Sequence, residues 1–156
     1  MKKTFKEWRE FNIVAQNYLA RTNGVDTKLS YAIGRIQNRD LKSAFTEYKD
    51  AVRDIEIDHC FTDANGVIVY DEGKDQNGRA TREFRFTKDE LKARDKALKE
   101  LMKVYDKKEL EVTPHIVEVK FPILSDLEIE IFRGVVISED YETPVLEERP
   151  KMEKVN

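Results

Sequence analysis

The chain has 156 residues, 38% of them charged and 40% hydrophobic, with a formal net charge of −3 and a single cysteine. That length suits one domain with a core of its own, while the charged share exceeds the roughly 25% of an average globular chain. One cysteine excludes an internal disulfide, and no apolar run reaches the roughly 20 residues of a bilayer span, so a reducing compartment without a membrane is expected.

Met1, Lys2 and Lys3 make a basic start, but Glu7, Arg9 and Glu10 interrupt any apolar stretch behind it, so no signal peptide is expected. From Thr4 to about Ala20 the apolar residues Phe5, Trp8, Phe11, Ile13, Val14, Ala15, Tyr18 and Leu19 recur at mixed steps of three and four, predicting a first amphipathic helix. Thr22, Asn23 and Gly24 close it, Asn or Gly suiting the left-handed C-cap conformation. Asp26 or Thr27 then caps a long second helix. Its stripe is Ile33, Leu41, Phe45, Tyr48, Val52 and Ile55, widened by Leu29, Ala32, Ile36 and Ala44. Gly34 interrupts that helix at about 1 kcal/mol against Ala, which a closely packed neighbouring backbone or a bend would explain.

Asp63 to Gly66 is a turn signal, and the β-branched run Val67-Ile68-Val69-Tyr70 reads as a strand. Thr81 to Phe86 answers it, with Phe84 and Phe86 on one face, and the polar stretch 71–79 between them predicts a long, mobile hairpin loop. Thr87 and Glu90 form a capping box that opens a third helix on Leu91, Leu98, Leu101 and Tyr105, running back antiparallel to the second. Ile116, Val117, Val119 and Phe121 suggest a strand ending at Pro122. Ser125 to Glu128 has the residues of a short helical turn, but Leu127, Ile129 and Ile131 alternate with acids, which favours a second strand. The expected fold is α+β: an antiparallel helical hairpin with an N-terminal helix, an inserted β-hairpin and a small C-terminal β element. Residues 1–137 are expected to form a single domain, and residues 138–156 an acidic tail that is disordered or ordered by a partner.

Charge is unevenly spread. Residues 1–53 hold 11 Lys/Arg against 6 Asp/Glu, whereas residues 109–156 hold 5 against 12. The acidic end makes nucleic-acid binding an unlikely role, because phosphates would be repelled. Arg35, Arg39 and Lys42, with Lys28 and Tyr31 near them, would grip phosphates, but Asp40, Glu47 and Asp50 dilute the cluster into a solvated face. Either Asp/Asn-Gly turn invites a calcium loop, yet the register through Asp63, Asn65 and Gly66 puts Phe61 at the first ligand position. The register through Asp75, Asn77 and Gly78 puts Phe84 at the twelfth, so both read as turns and no metal or cofactor is expected. His59 and Cys60 are adjacent and point roughly 100° apart on a helix, which opposes a nucleophilic dyad. His115 has no metal-spaced partner, and Glu128 with Glu130 reads as a solvated strand edge. No Gly-rich phosphate loop, nucleophile elbow or His-Glu-x-x-His motif is present, so no enzyme is expected.

Three segments carry a resemblance: Lys28-Leu29-Ser30-Tyr31-Ala32-Ile33-Gly34-Arg35-Ile36 before a long helix, Phe84-Arg85-Phe86-Thr87-Lys88-Asp89-Glu90 before a return helix, and Phe121-Pro122-Ile123-Leu124-Ser125-Asp126-Leu127-Glu128 near the end. In this order the chain resembles, from about Phe5 to Gly134, a family of small uncharacterised tailed-bacteriophage proteins. The resemblance implies a virus-encoded protein acting in the virion or in the bacterial host cytoplasm, and it brings no catalytic residues. The expected role is non-enzymatic protein binding, as a minor virion or assembly component; the alternative is an inhibitor or modulator of a host protein. Val67, Val69, Tyr70, Phe84 and Phe86 of the hairpin and the basic pair Arg35 and Arg39 are the candidate interaction residues. Self-association is expected as well, since a slender helical pair exposes more apolar stripe than it covers.

Overall fold

The structure, a computed structural model, describes residues 1–21, 25–120 and 123–144. It is α+β, with two small antiparallel two-stranded sheets among helices. The chain forms two compact units, each assembled from separate stretches.

The first unit comprises Met1, Arg9–Arg39 and the described residues from Val112 on. It takes most of α1 (Phe5–Leu19), all of α2 (Thr27–Arg35), the start of a π-helical segment π1 (Ile36–Leu41) and α5 (Asp126–Phe132). Asp26 starts α2 by accepting the Leu29 N–H at 2.9 Å, and its own N–H donates to the Tyr18 hydroxyl at 2.7 Å, so the cap also ties α2 to α1. Most of the fully buried apolar side chains belong here: Phe11, Ala15 and Tyr18 from α1, Leu29, Ala32 and Ile33 from α2, and Phe132 with Val135, Val136 and Ile137 at the end. The Phe132 ring stands edge-on to Phe11 at 5.7 Å and to Tyr18 at 6.0 Å, the arrangement the aromatic quadrupole favours. His115 and Val117 donate their N–H groups to Val135 and Val136 at 2.8 and 2.9 Å, which holds the stretch before α5 against this core.

The second unit comprises Lys2–Trp8 and Asp40–Glu111. Strand β1 (Lys2–Thr4) pairs antiparallel with β4 (Glu109–Glu111), with Lys3 opposite Leu110. Trp8 Nε1 donates to the Leu110 carbonyl at 3.1 Å, and Phe5 packs on Phe45, Tyr48 and Tyr105. Between these strands lie α3 (Lys42–His59), a hairpin of β2 (Tyr70–Lys74) and β3 (Ala80–Phe84), and α4 (Lys88–Asp106). The two helices run antiparallel. Tyr105, near the end of α4, donates to Glu47, near the start of α3, at 3.0 Å, while Glu56 shares a recess with Phe86 and Arg94 at the opposite end. Leu41, Phe45, Tyr48, Val52 and Ile55 alternate steps of four and three, and Leu91, Leu98, Leu101 and Tyr105 keep the same period, which is the seam of a two-stranded coiled coil. Apart from Leu41, which ends π1 and is fully buried, the seam is shallow: no residue of α3 is buried outright, and Tyr105 alone of α4 is.

Several expectations hold and others are corrected. The expected first helix, the Asp26 cap and the Thr87–Glu90 capping box are all present. The long second helix is a continuous helical run, but π1 interrupts it between α2 and α3. The first hairpin strand is Tyr70–Lys74 rather than Val67–Tyr70, because the Asp63 turn occupies the chain up to Val67. Half of the expected loop is therefore strand. The second strand expected over Leu127–Ile131 is α5, capped by Ser125 and Glu128 in a box of their own. Glu128 is accordingly buried rather than on a solvated edge, its Oε1 accepting from Arg21 and from the Ser125 N–H. Residues 113–120 carry no ladder of their own, and the β element late in the chain is β4, whose partner β1 covers the basic start, to which no strand was assigned, and Thr4, the expected first residue of the helix. The expected cap at Thr22–Gly24, the strand end at Phe121–Pro122 and the tail over 145–156 lie outside the described residues.

Candidate protein-interaction surface

Each hairpin turn of the second unit is built by one aspartate. Asp75 accepts from the backbone N–H groups of Asn77 and Arg79, both at 2.9 Å, while Gly78 N–H reaches the Asp75 carbonyl at 3.0 Å. Gly78 sits at φ +76°, the left-handed position that completes a type I turn with a bulge. Asp63 repeats the device with Asn65, Val67 and Gly66, the last at φ +78°. The same side-chain chemistry thus folds the chain back twice in succession.

Phe61 links the two folds. Its N–H donates to the Arg85 carbonyl at 2.7 Å and its carbonyl accepts from Val69 at 3.1 Å. At the base of the hairpin Tyr70 faces Phe84 across the ladder, ring centroids 5.5 Å apart, and the Arg82 guanidinium lies 5.4 Å over Tyr70. Arg85 Nε bonds Asp71 at 2.8 Å. Beyond this base only Thr81 is half-buried; the rest of both strands is exposed, and the sheet has two strands. Glu72, Lys74, Arg82 and Glu83 make it a polar surface, with charges that discourage indiscriminate edge pairing. An isolated two-stranded hairpin is marginal in water. Among the described residues its contacts concentrate at one end, around Tyr70, Phe84 and Phe61.

The sequence-predicted residues fall as follows. Tyr70 and Phe84 form the central cross-strand pair, and Val69 supports it through Phe61. Phe86 lies past the strand, with the Arg94 guanidinium 4.6 Å above its ring, and serves as packing between β3 and α4. Val67 belongs to the Asp63 turn and is 59% exposed. Arg35 and Arg39 belong to the first unit, on α2 and π1, and the five hairpin candidates to the second. Sequence reading missed His115, whose Nδ1 lies 3.3 Å from Arg35 Nη1 and whose ring meets Tyr31 edge-on at 5.9 Å. Only a contact across distant parts of the chain could have revealed it.

His59 and Cys60 turn away from each other. His59 Nδ1 donates to the Ile55 carbonyl at 2.8 Å and Cys60 Sγ to the Ile57 carbonyl at 3.3 Å. Burial pushes the Cys60 thiol above its ordinary range, which disfavours the thiolate a nucleophile needs. Among the described residues no three His, Cys, Asp or Glu side chains gather as a metal site, and no helix is long and apolar enough to cross a membrane. No family model, curated protein or solved structure matches the chain.

Proposed function

We propose that the chain is a non-enzymatic protein-binding component of a tailed bacteriophage, part of the particle or of its assembly, and that it engages its partner through the hairpin β2–β3. The observation that carries this reading is a hairpin held at its base around Tyr70 and Phe84 and, Thr81 apart, exposed along the rest of both strands. Such an element gains stability when a partner supplies a third layer or a further strand. The coiled-coil pair α3 and α4 supports the reading because it carries the hairpin on a charged, weakly buried scaffold. The resemblance of three sequence segments to phage proteins supplies the setting.

Mass spectrometry of purified particles, together with deletion of the gene, tests the proposal. The chain is expected in the particle at fixed proportion, or the deletion is expected to leave assembly intermediates. Particles that lack the chain and assemble normally without it would overturn the reading. Recovery of one host protein in fixed proportion would instead assign the hairpin to inhibition of the host.

A further inference from the structure

We propose that copies of this chain associate head to tail through two faces of the first unit, the basic aromatic face of α2 and π1 on one copy receiving the acidic apolar face of α5 on the next. Tyr31, Gly34, Arg35, Asn38 and Arg39 line an open recess of about 360 Å³. Tyr31 is 65% exposed, although its ring is fixed against His115. A guanidinium only donates, so in this contact Arg35 is the donor and His115 Nδ1 the acceptor. Among the described residues this bond aims Arg35 toward the recess, where its other N–H groups can meet an incoming carboxylate.

Gly34 points the same way. A Cβ there would meet nothing nearer than Asn38 Nδ2 at 3.9 Å, so neither a neighbouring backbone nor a crowded contact calls for glycine. A helix-interior glycine still costs about 1 kcal/mol. Its bare backbone floors the recess and leaves room for a side chain from outside. The helix changes to π geometry two residues later, at Ile36, and π turns concentrate at functional sites.

The acidic face has the complementary chemistry. Asp126, Leu127 and Glu130 of α5, and Ile123 just before it, are all exposed, Leu127 by 57%. Asp126 and Glu130, four apart, share one face of α5, and Leu127, three before Glu130, borders it. Leu127 fills the recess against Tyr31, and Asp126 and Glu130 meet the arginine edge. Because two different patches meet, the contact propagates into a ring or a filament rather than stopping at a two-fold dimer. The excess of Lys and Arg before residue 54 and of Asp and Glu after residue 108 gives the association its direction. A nucleic acid suits the recess less well, since Asp26 and Glu118 line the adjoining surface with Lys28 and Lys120 and would repel successive phosphates.

Light scattering on the full chain over a range of concentration tests the proposal. The mass is expected to rise above the 18.3 kDa of one copy, and to fall back as salt screens the contact. Arg35→Glu and Glu130→Lys are each expected to leave a monomer, and the double variant to recover the assembly. Leu127→Ser, which changes no charge, is expected to weaken it as well. All three side chains are exposed, and unchanged circular dichroism confirms that each variant folds. A wild-type chain that stays monomeric overturns the proposal, as does association indifferent to the single reversals or not recovered in the double variant. Binding of a poly(dT) oligonucleotide that depends on Arg35, without self-association, overturns it too and makes the recess a nucleic-acid site.

Discussion

Cys60, Tyr18 and Tyr105 are held in their protonated forms by the fold. Burial is the main cause for all three, and for Tyr105 the hydrogen bond to Glu47 adds to it, because the carboxylate accepts the phenol proton and repels the phenolate. A group that binds its proton more tightly in the folded than in the unfolded chain stabilises fully below its ordinary range, and that contribution is lost as pH rises through the raised folded value. Urea unfolding is therefore expected to give falling stability from pH 8 upward to about 10.5, across the ordinary thiol and phenol ranges. The Cys60 thiol should also react with alkylating reagents slowly in the folded chain and rapidly once it is unfolded. A flat stability profile over that window, together with fast labelling of the folded chain, would contradict the packing described for these side chains. At this scale the sequence was informative where chemistry is local. The Asp63 and Asp75 turns were legible because one carboxylate, an Asn and a Gly suffice to make them. His115 was illegible because its partners, Tyr31 and Arg35, lie far along the chain.

Helix α4 and helix α5 begin with the same device, yet the sequence reading found only one of them. Thr87 and Glu90 precede a long leucine stripe, so cap and periodicity agreed. Ser125 and Glu128 precede a short run in which Leu127, Ile129 and Ile131 alternate with acids, and short apolar runs do not separate strand from helix. What decides α5 is the cap, with burial of Phe132 against Phe11 and Tyr18 behind it. Ser125→Ala is expected to cost about 1 kcal/mol in urea unfolding, since it removes the hydroxyl that accepts the Glu128 N–H. An unchanged midpoint would mean that packing alone holds the helix. The hairpin was misplaced for a related reason. Its strands are exposed on both faces, so the sequence shows no alternation, while the β-branched run before it is taken up by a turn. Pairing of β1 with β4 joins opposite ends of the chain, which no local pattern records.

Taken as a whole, the molecule divides its tasks between the two units. The first holds most of the buried core and carries the opposed charged faces; the second carries a coiled-coil pair and a hairpin with little beneath it. The α+β class was legible from the order of periodic segments, and the antiparallel return of α4 along α3 from the apolar stripe on each helix. The partner was not, because an exposed polar hairpin fits many surfaces. The most direct test is quantitative affinity capture from phage-infected cells, comparing the wild-type chain with Tyr70→Ser/Phe84→Ser, which loosens the hairpin base, and with Lys99→Ala on the exposed side of α4. One protein is expected to be recovered in fixed proportion by the wild type and by Lys99→Ala and to be lost with the hairpin variant. Recovery of the same protein in the same proportion by all three chains would contradict that expectation.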